Sequence, residues 1–132
     1  MSESAAITTT FLRLLYGIPL DVRFDQPPPE RLTTQLHEML LMLADEPQIA
    51  DMCLRAMLVS ERAVSKTRHH IGGEVDRRIR AALGAGAWPE VVRLFEFGLY
   101  GAVLQATYGT DPPGELTDRL TTLVDIVFSR SA

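Results

Sequence analysis

Residues 89–107 read PEVVRLFEFGLYGAVLQAT, and this stretch says most about the fold. Pro89 followed by Glu90 is typical of the first turn of an α-helix, because proline fits there and a carboxylate favours the positive end of the helix dipole. From Phe95 to Leu104 the stretch carries one charge, Glu96. A helix that is apolar almost all round is covered on more than one side. The stretch therefore predicts a helix that is buried by more than one partner.

A strip of small or slender side chains runs along this predicted helix, formed by Gly98, Gly101, Ala102 and Gln105. Glycine inside a helix costs about 1 kcal/mol relative to alanine. Two glycines about one turn apart therefore predict that another helix approaches closely along the strip.

Four further stretches have apolar residues at helical spacing and are bounded mostly by proline or glycine. In residues 28–45 the apolar stripe is Leu32, Leu36, Met39, Leu40 and Leu43, and in residues 47–60 it is Ile49, Met52, Cys53, Ala56 and Met57. In residues 71–83 it is Ile71, Val75, Ile79, Ala82 and Leu83, and in residues 114–130 it is Leu116, Leu120, Leu123, Val124 and Val127. Only residues 20–24 hint at the alternation of a strand. We therefore expect an all-α bundle of five or six helices over residues 27–132. The N-terminal segment, residues 1–26, is expected to be a short helix or partly ordered.

Composition excludes several classes of protein. The 132 residues, 46% hydrophobic and 23% charged, fit one globular domain with its own core. The excess of 17 acidic over 13 basic residues argues against binding to a phosphate backbone. No apolar run approaches the roughly 20 residues of a membrane span, and the N-terminus lacks the basic start of a signal peptide. The single cysteine, Cys53, cannot form a disulfide within the chain and is compatible with a reducing compartment. From the charge, the apolar runs and the cysteine together, we expect a cytoplasmic protein that binds neither nucleic acid nor a membrane.

The last predicted helix has apolar residues outside its main stripe, since Ile126 and Phe128 point elsewhere. A monomer of this size does not need a second apolar face there. A second copy of the chain is the simplest cover, so we expect a homodimer. The alternative is that residues 89–107 form the central helix of a monomeric bundle.

Residues that could bind a metal or act as a nucleophile lack the partners that such chemistry needs. His69 and His70 with Glu74 have the spacing of a metal pair, but no further ligand follows and His37 lies on another helix. A solvated turn is the favoured interpretation. Cys53 lies on an apolar face without a nearby base, which favours an inert buried thiol. We therefore expect no metal and no cofactor.

Three carboxylates, Glu38, Glu96 and Asp125, lie on otherwise apolar helices. Each could be an acid–base group with a shifted pKa, could pair with an arginine such as Arg93 or Arg55, or could face solvent. The sequence has no serine–histidine pair and no glycine-rich phosphate loop, so we expect a protein that is not an enzyme.

The order and spacing of these segments resemble the C-terminal regulatory domain of TetR-family transcriptional regulators. The resemblance covers residues 28–128 and rests on PPERL with its following leucines, DEPQIADMCLRAML, EVDRRIRAALGAG, WPEVVRLFEFGLYGAVLQATYG and GELTDRLTTLVDIVF. Members of that family begin with a helix-turn-helix DNA-binding unit. Residues 1–26 carry only Arg13 and Arg23 as basic side chains, so the resemblance implies a regulatory domain without its own DNA-binding head.

The resemblance implies two sites. The family's last two helices form a four-helix dimer interface, here carried by Gly98, Gly101, Ala102, Gln105, Leu116, Leu120, Leu123, Val124 and Val127. The family holds small apolar or aromatic effectors among its central helices, in a pocket here lined by Met39, Leu43, Cys53, Met57, Phe95 and Leu99. The alternative function is a protein-interaction module without a small ligand, which forms a mixed dimer with a full-length family member.

Overall fold

The computed structural model describes residues 3–19, 25–58 and 65–130. These residues form six α-helices and no strand, which confirms the predicted all-α bundle. The helices are α1 (Glu3–Tyr16), α2 (Pro28–Ala44), α3 (Pro47–Leu58), α4 (Ser65–Leu83), α5 (Pro89–Tyr108) and α6 (Pro113–Arg130). A short 3-10 turn, Gly84–Gly86, joins α4 to α5. The stretch 20–24, which hinted at a strand, lies outside the described residues.

Helix α2 is the centre of the bundle. It packs against α3, α4, α5 and α6. Its apolar stripe is fully enclosed by these neighbours, since Leu32, Leu36, Met39 and Leu40 expose none of their surface. Burial of each such side chain contributes about 1.5–3 kcal/mol to folding, so α2 anchors the other helices.

Proline and glycine set most helix ends. Proline occupies the first turn of α2 and α5, where its missing N–H costs no hydrogen bond. Gly84 follows the last residue of α4 with φ of +66°, a left-handed conformation that glycine adopts without strain. This turn lets the chain leave α4 and begin α5 at Pro89.

Helix α4 begins earlier than its apolar pattern predicts. The pattern predicts a start at residue 71 or 73, whereas the helix starts at Ser65 and includes Gly72 and Gly73. Ile71 is buried in the core, and a Cβ at Gly72 would lie 3.7 Å from the Met57 Cε atom of α3. Tertiary packing therefore holds a helix through two residues of poor helix propensity.

Helix α1 joins the same core. Phe11 and Leu15 are buried among residues of the other helices. The buried side chain of Arg78 on α4 donates hydrogen bonds to the carbonyl oxygens of Leu15 (2.6 Å) and Ile18 (3.1 Å) at the end of α1. These bonds add a side-chain donor to the Leu15 carbonyl, which also accepts from the Ile18 N–H, and supply a donor to the Ile18 carbonyl beyond the helix end. The predicted division of the chain at residues 26 and 27 stays a prediction.

Candidate functional sites in the core and on the α5–α6 face

An apolar cavity lies where the first five helices meet. Its volume is about 20 Å³, room for about one water molecule. All of its exposed lining atoms are apolar. The wall is formed by Phe11, Leu15, Met39, Leu43, Cys53, Leu54, Met57, Ile71, Val75, Leu99, Tyr100 and Val103.

Five of the six predicted pocket residues line this cavity: Met39, Leu43, Cys53, Met57 and Leu99. The sixth, Phe95, is fully buried in the core but does not line it. The prediction did not include the parts of the wall supplied by α1 and α4. The apolar stripes of those two helices were recognisable, but nothing in the sequence brought α1 to this side of the bundle.

The ionisable groups around the cavity are neutral. Burial raises the pKa of the Cys53 thiol to about 12, which favours the neutral thiol over the reactive thiolate at neutral pH. Burial, with the charge of Glu96 nearby, also raises the pKa of Tyr100 well above its ordinary value. The cavity can therefore bind apolar groups, and its thiol is suited to packing rather than catalysis.

Glu96, one of the three candidate carboxylates, has a raised pKa. Burial raises its pKa to about 7, the neighbouring Asp76 adds to the rise, and Arg93 and Arg80 oppose it. Asp76 itself forms an ion pair with Arg80 at 2.6 Å. Glu96 is half-buried between α4 and α5, whereas Asp125 is exposed and Glu38 is half-buried on α2.

Helices α5 and α6 present an apolar surface to solvent. Phe97 is 65% exposed, Ile126 48% and Leu104 37%. Between the two helices runs a groove of about 240 Å³. It is lined by Gly98, Gly101, Ala102, Gln105, Leu116, Arg119, Leu120 and Leu123. We call these groove residues, together with Leu94, Phe97, Leu104 and Ile126, the α5–α6 face.

The predicted interface residues divide between this face and the core of their own chain. Leu116, Leu120 and Val124 are buried, while Leu123 and Val127 are partly buried against the core. A Cβ at Gly98 would lie 2.7 Å from the Leu123 Cδ2 atom. The close approach predicted for the glycine strip is therefore made at Gly98 by α6 of the same chain.

Gly101 differs from Gly98, because a Cβ there would meet nothing within 4 Å. The exposed aromatic and aliphatic side chains of the α5–α6 face, Phe97 above all, were not among the predicted interface residues. Their signal in the sequence was the near absence of charge from Phe95 to Leu104. The interface itself stays a prediction.

The histidine pair has no ligand set around it. His69 and His70 are exposed, and Glu74 accepts hydrogen bonds from Arg77 (2.7 Å) and Arg78 (3.0 Å) instead. Within the described ranges no cluster of three or more His, Cys, Asp or Glu side chains could hold a metal ion. The third histidine, His37, forms a 2.8 Å hydrogen bond with the Thr121 hydroxyl that links α2 to α6. Among the described helices, none is both long and apolar enough to cross a membrane.

The chain is similar to proteins named uncharacterized HTH-type transcriptional regulators. The relatives in Mycobacterium tuberculosis and Mycobacterium bovis are 35% identical to it over 130 residues. The match includes 97% of this chain, which spans 61% of the relatives' length. No protein-family model matches the sequence, and no solved structure matches it.

Proposed function

We propose that this chain is a regulatory domain that binds a small apolar or aromatic effector and forms a homodimer, as the C-terminal domains of TetR-family regulators do. The observation that carries the proposal is the apolar cavity walled by five helices. A ligand there contacts every helix from α1 to α5 at once. It therefore shifts the balance between two arrangements of these helices if it binds one more tightly.

The cavity must open to admit an effector. At about 20 Å³ it is far smaller than the roughly 300–1,000 Å³ of typical ligand sites. Met39 and Met57 belong to its wall, and methionine side chains adapt their shape easily. Binding of an effector therefore requires these side chains to rearrange and the cavity to widen.

A thermal-shift screen of apolar and aromatic metabolites tests this function. We expect some of them to raise the melting temperature, and we expect Met57→Trp to abolish the rise because the indole fills the cavity. Met52→Trp is the matched control, since Met52 lies on the same helix, is also half-buried and does not line the cavity. A screen without any stabilising compound, or equal loss in both variants, argues against effector binding.

The nearly closed interior favours a second candidate, a protein-interaction module without a small ligand. In this function the α5–α6 face would pair with the equivalent face of a full-length relative and sequester it in a mixed dimer. Native mass spectrometry of this chain mixed with a full-length paralogue tests the idea. Mixed species that disappear with Gly101→Arg support it, and the absence of mixed species with the wild-type chain rejects it.

A further inference from the structure

Two buried polar atoms on α5, one of them on a residue that lines the cavity, have no hydrogen-bond partner. The ring of Tyr100 forms part of the cavity wall, and its hydroxyl oxygen is buried without a partner. The Oε1 atom of Glu96 is also buried without a partner. Glu96 precedes Tyr100 by four residues, so both side chains project from the same face of α5. Buried polar groups in folded proteins nearly always have a partner, which makes two such atoms on one helix face unusual.

The charged groups around this pair are already engaged or lie in solvent. Arg80 of α4 is bonded to Asp76, and Arg93 of α5 is exposed. Cys53 of α3 is a neutral thiol, a weak hydrogen-bond donor. The Asp76 carboxyl group also faces Glu96, and a hydrogen bond between the two side chains helps to raise the Glu96 pKa. This bond does not satisfy Glu96 Oε1 or the Tyr100 hydroxyl, which both stay without a partner. A molecule that enters the cavity and widens it toward α4 is well placed to do so.

We propose that the cavity binds a small ligand with an apolar body and one hydrogen-bond-donating head, a hydroxyl or a protonated amine, which is held by the Tyr100 hydroxyl and the Glu96 carboxyl group. This inference rests on the proposed effector-binding function. A ligand hydroxyl donates to Glu96 Oε1 and accepts from the Tyr100 hydroxyl, whereas an ammonium group donates to both oxygens. Either head supplies the missing partners, and the apolar body occupies the space among Met39, Met57 and Leu99.

Three probes of nearly equal size separate the apolar and polar parts of the site: ethylbenzene, benzyl alcohol and benzylamine. Binding of each is measured by NMR titration with the wild type, Tyr100→Phe and Glu96→Gln. Tyr108→Phe is the matched control, because Tyr108 lies on the same helix but is exposed. A lost hydrogen bond to a buried partner weakens binding by roughly ten-fold. We expect this loss in Tyr100→Phe for benzyl alcohol or benzylamine, and no change for ethylbenzene.

The outcomes separate this inference from the proposed function. If all three probes bind Tyr100→Phe and Glu96→Gln as they bind the wild type, the polar head is wrong although effector binding stands. If no probe binds the wild type, both are wrong. Carbon NMR of the Glu96 carboxyl group distinguishes the two heads. An amine ligand lowers the pKa of Glu96 from about 7 because it stabilises the carboxylate, whereas an alcohol ligand binds without a new charge.

Discussion

At the scale of single residues, Arg78 makes the sharpest prediction about stability. Its side chain is 2% exposed and bridges Glu74 on its own helix to the last carbonyls of α1. In Arg78→Ala the Ile18 carbonyl loses its side-chain donor. The Leu15 carbonyl keeps the backbone N–H of Ile18, and Glu74 keeps its bond to Arg77. We therefore expect the variant to lower the free energy of unfolding by about 1.5–3 kcal/mol, the size of lost hydrogen bonds to a charged group. Arg77→Ala is the control, because Arg77 is 51% exposed and pairs with the same Glu74. Its effect should be at most about 1 kcal/mol, and urea denaturation showing equal losses would contradict the role of Arg78.

The raised pKa of Glu96 predicts how the stability of the fold depends on pH. Its pKa in the folded protein is about 7, above the ordinary value of 4.5, so the folded state binds a proton more tightly than the unfolded state. Stability attributable to Glu96 is therefore greatest below about pH 4.5 and decreases as the pH rises to about 7. Glu96→Gln removes this dependence, so the variant should gain stability relative to the wild type over that interval. The exposed Asp125→Asn is the control. A constant difference between wild type and Glu96→Gln in urea denaturation across this range would refute the shift.

At the scale of helices, Gly98 and Gly101 predict opposite responses to alanine. At Gly98 the new methyl group meets Leu123 of α6 at 2.7 Å, so either α6 or the Leu123 side chain must move. At Gly101 nothing lies within 4 Å, and alanine gains the roughly 1 kcal/mol of helix propensity. Both substitutions gain this propensity, so the difference between them is the cost of overpacking at Gly98. We expect Gly101→Ala to be more stable than Gly98→Ala by about 1–3 kcal/mol in urea denaturation at equal protein concentration. If the two variants are equally stable, the Leu123 side chain of α6 lies farther from Gly98 than a 2.7 Å contact with the added methyl group requires.

The helices themselves were largely predictable because their signals are local. Proline at residues 28, 47, 89 and 113 marks four helix starts, and apolar residues every three or four positions mark the faces that are buried. The start of α4 was not predictable, because Gly72 and Gly73 are poor helix formers that only contacts with other helices hold in place. Residues 1–26 were expected to be a short helix or partly ordered, and the attachment of α1 through Arg78 was not predictable because it depends on residues about 60 positions apart.

The cavity was predictable only in part, for a related reason. Met39, Cys53 and Met57 lie on apolar stripes that the sequence displays, and they do line the cavity. Phe95 lies on such a stripe too, but the stripe does not reveal which buried residues face a gap and which are packed on all sides. Tyr100 was missed because a tyrosine in an apolar helix gives no sign that its hydroxyl lacks a partner.

At the scale of the whole molecule, the central question is what covers the α5–α6 face. The face combines 65% exposed Phe97 with an open groove floored by Gly101 and Ala102. Exposed apolar surface of this kind is typical of interaction sites. A self-paired face fits a two-fold symmetric dimer, in which the same residues meet on both copies. Obligate dimers of this type bury about 2,000 Å² or more.

Sedimentation velocity of the wild-type chain and Gly101→Arg tests this claim most directly. We expect the wild type to sediment as a dimer and Gly101→Arg as a folded monomer, because a long charged side chain in the groove blocks the second copy. Gly73→Arg is the matched control, since Gly73 is also exposed with nothing within 4 Å but lies on α4, and it should remain a dimer. A wild type that stays monomeric at high concentration, or a dimer unaffected by Gly101→Arg, would contradict the account.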